Sequence, residues 1–203
     1  MAPTRFGTDG VRGVANAELT PELVLALGRA VARSISATTF LIGRDTRRSG
    51  PLLQAALSAG LASEGADVVD VGVLPTPALA WLSADRHLPA VVISASHNPL
   101  GDTGIKLFAA GGLKLSVEME HAIEDELGRI LDPSVRGPRS LEGHGVGSIT
   151  AEPGLGQAYV DHLVTLLEGR RLDGLRLVVD SANGSASAWA AFQAASSRLT
   201  RAM

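Results

Sequence analysis

The sequence predicts an α/β fold, a mostly parallel mixed sheet flanked by helices. Three observations predict it. Short β-prone runs alternate with helical patterns of about ten or more residues. One run, Ala90-Val91-Val92-Ile93, is apolar throughout, as expected of a strand covered on both faces. The 203 residues are 45 % hydrophobic and 19 % charged, enough for one sizeable core and too apolar for disorder.

The elements follow in order. Thr20 and Pro21 read as an N-cap and first helical position, and Leu23, Val24, Leu27 and Val31 mark one face of a helix ending near Ser34. Residues 38–43 form a strand, stopped by the polar turn Arg44-Asp45-Thr46-Arg47. Ser49-Gly50-Pro51 opens a second helix, with Ser49 as its cap and Leu53, Leu57 and Leu61 on one side. Residues 67–73 form a second strand, and Pro75-Thr76-Pro77 restarts the chain into a short helix ending near Leu82. The third strand, 90–94, leads into a polar loop, an extended segment at 105–109 and a Gly111-Gly112 turn. Residues 116–127 form an acidic amphipathic helix bearing Val117, Met119, Ile123 and Leu127.

Beyond it, residues 132–147 hold Pro133, Pro138, Gly137, Gly143, Gly145 and Gly147 without periodicity, which reads as a connector. A helix over 153–167 and a strand over 175–180 follow, then Ser181-Ala182-Asn183-Gly184 and a helix to the end. The resulting division is a first domain over 1–131, a linker over 132–150 and the start of a second domain over 151–203. A lone strand and helix cannot enclose a core, so this second unit reads as unfinished. Val91-Val92-Ile93-Ser94-Ala95-Ser96-His97-Asn98 and Val178-Val179-Asp180-Ser181-Ala182-Asn183 share a strand-then-small-polar pattern, a faint repeat.

Composition excludes several functions. A net charge of −3 gives no general field for nucleic acid, so any phosphate chemistry must come from a local site. The absence of cysteine excludes disulfide frameworks, thiolate zinc clusters and cysteine nucleophiles. No apolar leader core and no apolar run of about 18 residues occurs, which predicts no membrane span and a cytoplasmic protein. His87, His121, His144 and His162 are scattered, and no HExxH, EF-hand-type loop or three-ligand cluster predicts a complete metal site.

The strongest constellation is Ile93-Ser94-Ala95-Ser96-His97-Asn98-Pro99. An apolar strand delivers two serines, a histidine and an asparagine to one loop at a strand's carboxyl end, where open parallel sheets bind ligands. A capped turn accounts for the same residues. The flanks are not the Gly-x-Ser-x-Gly elbow of acyl transfer, and side chains of adjacent residues diverge unless the loop bends sharply. Phosphoryl transfer instead needs positioning and cations, and Arg12, Arg44, Arg47, His97 and Lys106 lie nearby in sequence.

Phe6-Gly7-Thr8-Asp9-Gly10-Val11-Arg12-Gly13 matches neither the Walker loop nor the dinucleotide fingerprint. Its glycines let backbone approach a ligand, with Arg12 as a phosphate holder; an ordered turn explains them equally well. In Gly43-Arg44-Asp45-Thr46-Arg47-Arg48-Ser49-Gly50, a helix N-terminus can attract an anion, but local pairing of Asp45 with arginine is the favoured reading. Lys106 is one of only two lysines against sixteen arginines and is flanked by apolar residues. It is either an exposed strand residue or a partly buried acid or base.

Together these stretches resemble the α-D-phosphohexomutase superfamily. The residues that carry the likeness are Phe6 through Gly13, Gly43-Arg44-Asp45-Thr46-Arg47, Ile93 through Pro99, and Gly104-Ile105-Lys106. Val11 and the Ser94-Ala95-Ser96 wording favour its glucosamine branch over the phosphomannomutase/phosphoglucomutase branch. The resemblance implies interconversion of glucosamine 6-phosphate and glucosamine 1-phosphate through a phosphoserine at Ser96 and a bisphosphate intermediate. It implies catalytic roles for Ser96, His97, Lys106 and Arg12, a phosphorylated hexosamine as partner, and Mg²⁺ bound through the Ser96 phosphate and three aspartates. The family's Asp-Gly-Asp-x-Asp-Arg metal loop does not occur in these residues, nor do its sugar-recognition and phosphate-binding loops. From Ser187 onward the sequence departs from the family's pattern. The chain therefore reads as an amino-terminal portion ended by a frameshift or a misplaced stop, inactive alone. A phosphomannomutase/phosphoglucomutase and a non-catalytic truncated product with an unpaired strand edge are the alternatives.

Overall fold

A computed structural model describes residues 7, 10–135, 141–170, 174, 176 and 178–189. Side chains along the strands alternate between two apolar clusters, and that alternation builds a three-layer α/β/α arrangement. Phe40, Ile42, Val68, Val91, Ile93, Ile105 and Leu107 point to one face; Leu41, Val71, Ala90, Val92 and Phe108 point to the other. The strands are β1 (Val11–Val14), β2 (Thr39–Arg44), β3 (Asp67–Val73), β4 (Ala90–Ile93), β5 (Asp102–Phe108) and β6 (Ile149–Ala151). Their order is β1-β5-β4-β2-β3-β6. The pairs β4·β2, β2·β3 and β3·β6 are parallel, whereas β5 runs antiparallel to both β4 and β1. The sheet is thus mixed, with a parallel centre.

Helices α1 (Pro21–Ser34), α2 (Gly50–Ser63) and α4 (Val117–Leu131) cover the first face through Val24, Leu27 and Val31, Leu53, Leu57 and Leu61, and Ile123 and Leu127. α1 starts where Thr20 Oγ1 accepts the Leu23 N–H at 3.3 Å, and α4 where Ser116 Oγ accepts that of Met119 at 3.3 Å. α1 and α2 cross at Gly28 and Gly60; a Cβ on Gly28 would stand 2.5 Å from the Leu57 carbonyl oxygen, and one on Gly60 would overlap that of Leu25. Glu64, just past α2, accepts from Arg29 Nε at 2.6 Å and from Arg33 Nε and Nη2 at 2.9 and 2.8 Å, while Arg33 Nη1 reaches Glu126 on α4 at 2.9 Å. Burial alone would push the Glu64 carboxyl up, but the bonds from Arg33 and Arg29 outweigh it and hold the group below the ordinary glutamate value. α3 (Thr76–Arg86) covers the second face with Ala78, Leu79 and Leu82, and α5 (Leu155–Thr165) lies on α3, where Trp81 stacks on His162 at 4.7 Å.

Several expectations are corrected. α3 runs four residues past Leu82, because Ser83 takes a core position by donating its hydroxyl to the Leu88 and Ala109 carbonyls. α4 likewise continues to Leu131. Ser49 does not cap α2: its side chain makes no cap bond and its backbone is already helical. β1 and β6 are strands only through distant partners, β5 and β3. Within the expected strand at 175–180, Arg176, Val178, Val179 and Asp180 adopt none, and Val178 is fully exposed. The repeat therefore has no structural counterpart there. Leu175, Leu177 and the expected helix beyond Trp189 lie outside the described residues. Trp189 itself packs on the second apolar cluster and donates Nε1–H to the Val73 carbonyl at 3.1 Å. Among the described residues no helix is long and apolar enough to cross a membrane.

Candidate active site

The carboxyl ends of β2 and β4 lie side by side, and the loops leaving them meet. The Asp45 N–H donates to the Ile93 carbonyl at 3.0 Å, and the Ser94 N–H to that of Gly104 at 2.8 Å. Ala95 is buried, which leaves Ser96 and His97 exposed at the loop's crest. Ser96 has a φ of 56°, in the left-handed region that serine rarely adopts. That sharp bend is what brings Ser96 Oγ to 3.3 Å from His97 Nδ1, so the adjacent side chains converge instead of diverging.

The loop is gripped from the β2–α2 turn. Asp45 accepts three hydrogen bonds: from the Arg47 backbone N–H on Oδ1 at 3.0 Å, and from Arg47 Nε and Ser94 Oγ on Oδ2 at 3.0 and 2.8 Å. Ser94 Oγ in turn accepts the Ser96 N–H at 3.0 Å. The remaining guanidinium donors of Arg47 go to loop carbonyls: Nη1 to Pro99 at 2.6 Å and Asp102 at 3.2 Å, Nη2 to Ser96 at 3.0 Å and Asn98 at 2.8 Å. All five of its N–H groups are thereby engaged. Arg47 is not a ligand for phosphate, contrary to its place among the nearby cations. Arg44 also turns inward, with Nη1 donating to the Asp45 carbonyl at 3.4 Å and its stem against Gly50. The favoured pairing of Asp45 with arginine is what the turn shows.

Arg12 and Lys106 arrive on β1 and β5. Arg12 pairs with Gly104, and Lys106 stands two residues along β5 on the same sheet face, opposite Val92. A Cβ on Gly104 would lie 2.8 Å from the Ser94 carbonyl oxygen and 3.3 Å from Arg12 Cγ, so the absence of a side chain there lets the Arg12 stem cross β5 beside the serine loop. Arg12 is exposed and Lys106 half-buried. Gly10, with a φ of 84°, presses against the Ile105 carbonyl, leaving no room for a Cβ. This glycine's close approach is to the sheet and not to a ligand. Gly7 and Gly10 form a turn bonded in both directions, at 3.0 and 3.2 Å; Phe6, Thr8 and Asp9 lie outside the described residues.

Sequence reasoning missed Arg47 as the loop's clamp, since the carbonyls it holds lie about fifty residues away and carry no side-chain signature. It also missed Thr46, whose hydroxyl donates to the Asn183 carbonyl at 2.9 Å and ties the same turn to the segment after α5. A shallow depression of about 620 Å³, lined by residues including Arg33, Thr38 and His87, opens at the amino ends of the parallel strands, away from Ser96.

The donor set for a divalent cation is not met by the described residues, among which no three His, Asp, Glu or Cys side chains cluster. Beside Ser96, both oxygens of Asp45 are engaged by Arg47 and Ser94, and Asp102 accepts from Asn98 Nδ2 at 3.3 Å.

Residues 3–133 match the family model for the α/β/α domain I of phosphoglucomutase/phosphomannomutase. The phosphoglucosamine mutase of Saccharopolyspora erythraea is 54 % identical over 190 residues, covering 90 % of this chain and 41 % of the relative. That of Rhodococcus erythropolis is 49 % identical over 203 residues, covering 96 % of this chain and 44 % of the relative. A solved phosphoglucomutase/phosphomannomutase family protein from Burkholderia thailandensis superposes with a TM-score of 0.75 at 28 % identity, covering 95 % of this chain and 42 % of that one. The chain thus spans less than half the length of these relatives, matching their amino-terminal portion. By the domain model that matches residues 3–133 and by these relatives, the chain belongs to the enzymatic phosphoglucomutase/phosphomannomutase family.

Proposed function

We propose that this chain carries the nucleophile of a phosphoglucosamine mutase, with Ser96 as the residue that gives and recovers the phosphoryl group. The observation that carries the reading is the exposed, left-handed Ser96 with its Oγ 3.3 Å from His97 Nδ1 at the carboxyl end of β4. The names of the relatives supply the hexosamine.

In the forward half-reaction the bond between phosphorus and Ser96 Oγ breaks as a bond from phosphorus to a hydroxyl oxygen of the hexosamine phosphate forms. The product is a hexosamine bisphosphate and a free serine. The hydroxyl's proton leaves as that bond forms, and Ser96 Oγ gains one; His97 Nδ1 is placed to hold the proton at Oγ. After the sugar reorients, the other phosphate returns to Oγ by the same steps in reverse. Arg12 and Lys106, on the face beside the loop, supply positive charge where the phosphoryl oxygens gather it.

Mg²⁺ is the family's expected ion, and a phosphate oxygen on Ser96 would furnish one ligand. The described carboxylates do not furnish the others, so no step here runs through the metal. On this reading the chain supplies the nucleophile and its cations, and turnover of free sugar phosphates needs donor groups beyond them.

A chimera tests the proposal. These residues replace the matching amino-terminal portion of the Saccharopolyspora erythraea relative, and interconversion of glucosamine 6- and 1-phosphates is measured. Turnover abolished by Ser96→Ala is the expected result. A folded chimera that works equally well with Ser96→Ala refutes the nucleophile.

A further inference from the structure

We propose that Asp45 and Arg47, acting through Ser94 and the loop carbonyls, are positioning residues that set the backbone of Ser96 and thereby the aim of its hydroxyl. The inference rests on Ser96 as the phosphoryl carrier and adds what holds it in place.

A residue's φ and ψ are fixed when the two peptide planes flanking its Cα are fixed. For Ser96 both planes are held by one ion pair. The plane before it is held through its N–H, which donates to Ser94 Oγ at 3.0 Å, and that hydroxyl donates to Asp45 Oδ2 at 2.8 Å. The plane after it is held through its carbonyl, which accepts from Arg47 Nη2 at 3.0 Å. Asp45 and Arg47 are joined to each other at 3.0 Å, with side-chain exposures of 12 % and 8 %. A left-handed serine persists only where its surroundings over-determine it. Here the surroundings are a closed circuit, Ser96 N–H to Ser94 to Asp45 to Arg47 to Ser96 carbonyl, beside the Asn98 N–H that donates at 3.0 Å to the Ala95 carbonyl on the plane before Ser96. Its consequence is the direction of Cα–Cβ, and with it the approach of Oγ to His97.

The circuit also explains the residue types. Asp45 accepts on both oxygens, so asparagine, with one acceptor and one NH₂, would set a donor against donors. Lysine at 47 has three donors on one nitrogen and cannot reach four carbonyls and a carboxylate at once.

The test compares Ser94→Ala, Asp45→Asn and Arg47→Lys with Arg33→Lys, a control in the ion-pair cluster of α1, α2 and α4. Three quantities are read: hydrogen exchange and chemical shift of the Ser96 amide and Tm on the whole chain, and phosphate uptake by Ser96 from a hexosamine 1,6-bisphosphate in the chimera with the Saccharopolyspora erythraea relative. Ser94→Ala is the mildest variant and keeps the proposal testable if Asp45→Asn fails to fold. It is expected to speed Ser96 amide exchange roughly 3- to 10-fold, the loss of one hydrogen bond, and to slow phosphate uptake by roughly ten- to a hundredfold. Arg33→Lys is expected to lower Tm while leaving exchange at Ser96 and uptake unchanged. Unchanged exchange and uptake in Ser94→Ala and Arg47→Lys overturn the proposal, as does an equal response in Arg33→Lys. If exchange responds but no protein, wild type included, takes up phosphate on Ser96, the phosphoserine reading fails while the clamp on the backbone stands.

Discussion

Replacing Glu64 with glutamine tests how the three helices on one face are joined. Glu64 accepts three hydrogen bonds from two arginines on two oxygens, with its side chain 14 % exposed. Glutamine keeps one acceptor and turns an NH₂ toward a guanidinium, so Arg29 loses its Glu64 counter-charge and Arg33 keeps that of Glu126 alone. A hydrogen bond to a charged group is worth about 1.5–3 kcal/mol, and partial solvent screening trims the set, so the expected loss is about 2 kcal/mol near neutral pH. In a chain of this size that lowers Tm by about 4–8 °C. The pH dependence sharpens the test. The folded-state pKa of Glu64 is depressed below the ordinary 4.5, so its stabilisation is present above that value and is lost as the pH falls through the folded pKa. Asp67 and Asp132, held low by their bonds with Ser148 and Ser134, lose stabilisation in acid as well, but equally in both proteins. Urea unfolding of wild type and Glu64→Gln from about pH 7 to about pH 3 should show a gap that closes in acid. A gap that stays constant with pH, or one below about 0.5 kcal/mol at neutral pH, would refute the reasoning.

Three further outcomes follow from close contacts. Gly60→Ala puts a methyl group onto the Leu25 carbonyl, and the forced separation of α1 and α2 should cost about 1–3 kcal/mol in chemical unfolding. Gly104→Ala, 2.8 Å from the Ser94 carbonyl oxygen, should shift the Ser94 and Ser96 amide resonances and cost a similar amount; unmoved resonances would show that Arg12 and the loop are not packed across that glycine. Trp189→Phe removes the bond to Val73 and should cost about 1 kcal/mol in thermal unfolding, whereas an unchanged Tm would mean that Trp189 does not anchor the segment after α5.

What was legible in the sequence was what local chemistry encodes. Thr20-Pro21 fixes the start of α1 because cap and first turn are adjacent in the chain. The apolar run 90–93 announced a doubly covered strand for the same reason. Ser83 stopped the apolar pattern of α3 early, although its hydroxyl is satisfied by carbonyls five and twenty-six residues on. β6, three residues with every one exposed, is too short to show a period and exists through its register with β3. The crest of the site, Ser96 and His97, was visible as a cluster of polar residues after a strand. The clamp beneath it was not, because Arg47 binds backbone carbonyls, which look alike in every sequence.

The central claim is that Ser96 takes up a phosphoryl group. Its most direct measurement is peptide mapping by mass spectrometry after the chimera with the Saccharopolyspora erythraea relative, carrying the wild-type residues or Ser96→Ala, is incubated with a hexosamine 1,6-bisphosphate. The account predicts one phosphate on the peptide containing Ser96 in the wild type and none in the variant. Equal uptake by Ser96→Ala, or no phosphate on Ser96 in the wild type, would contradict it.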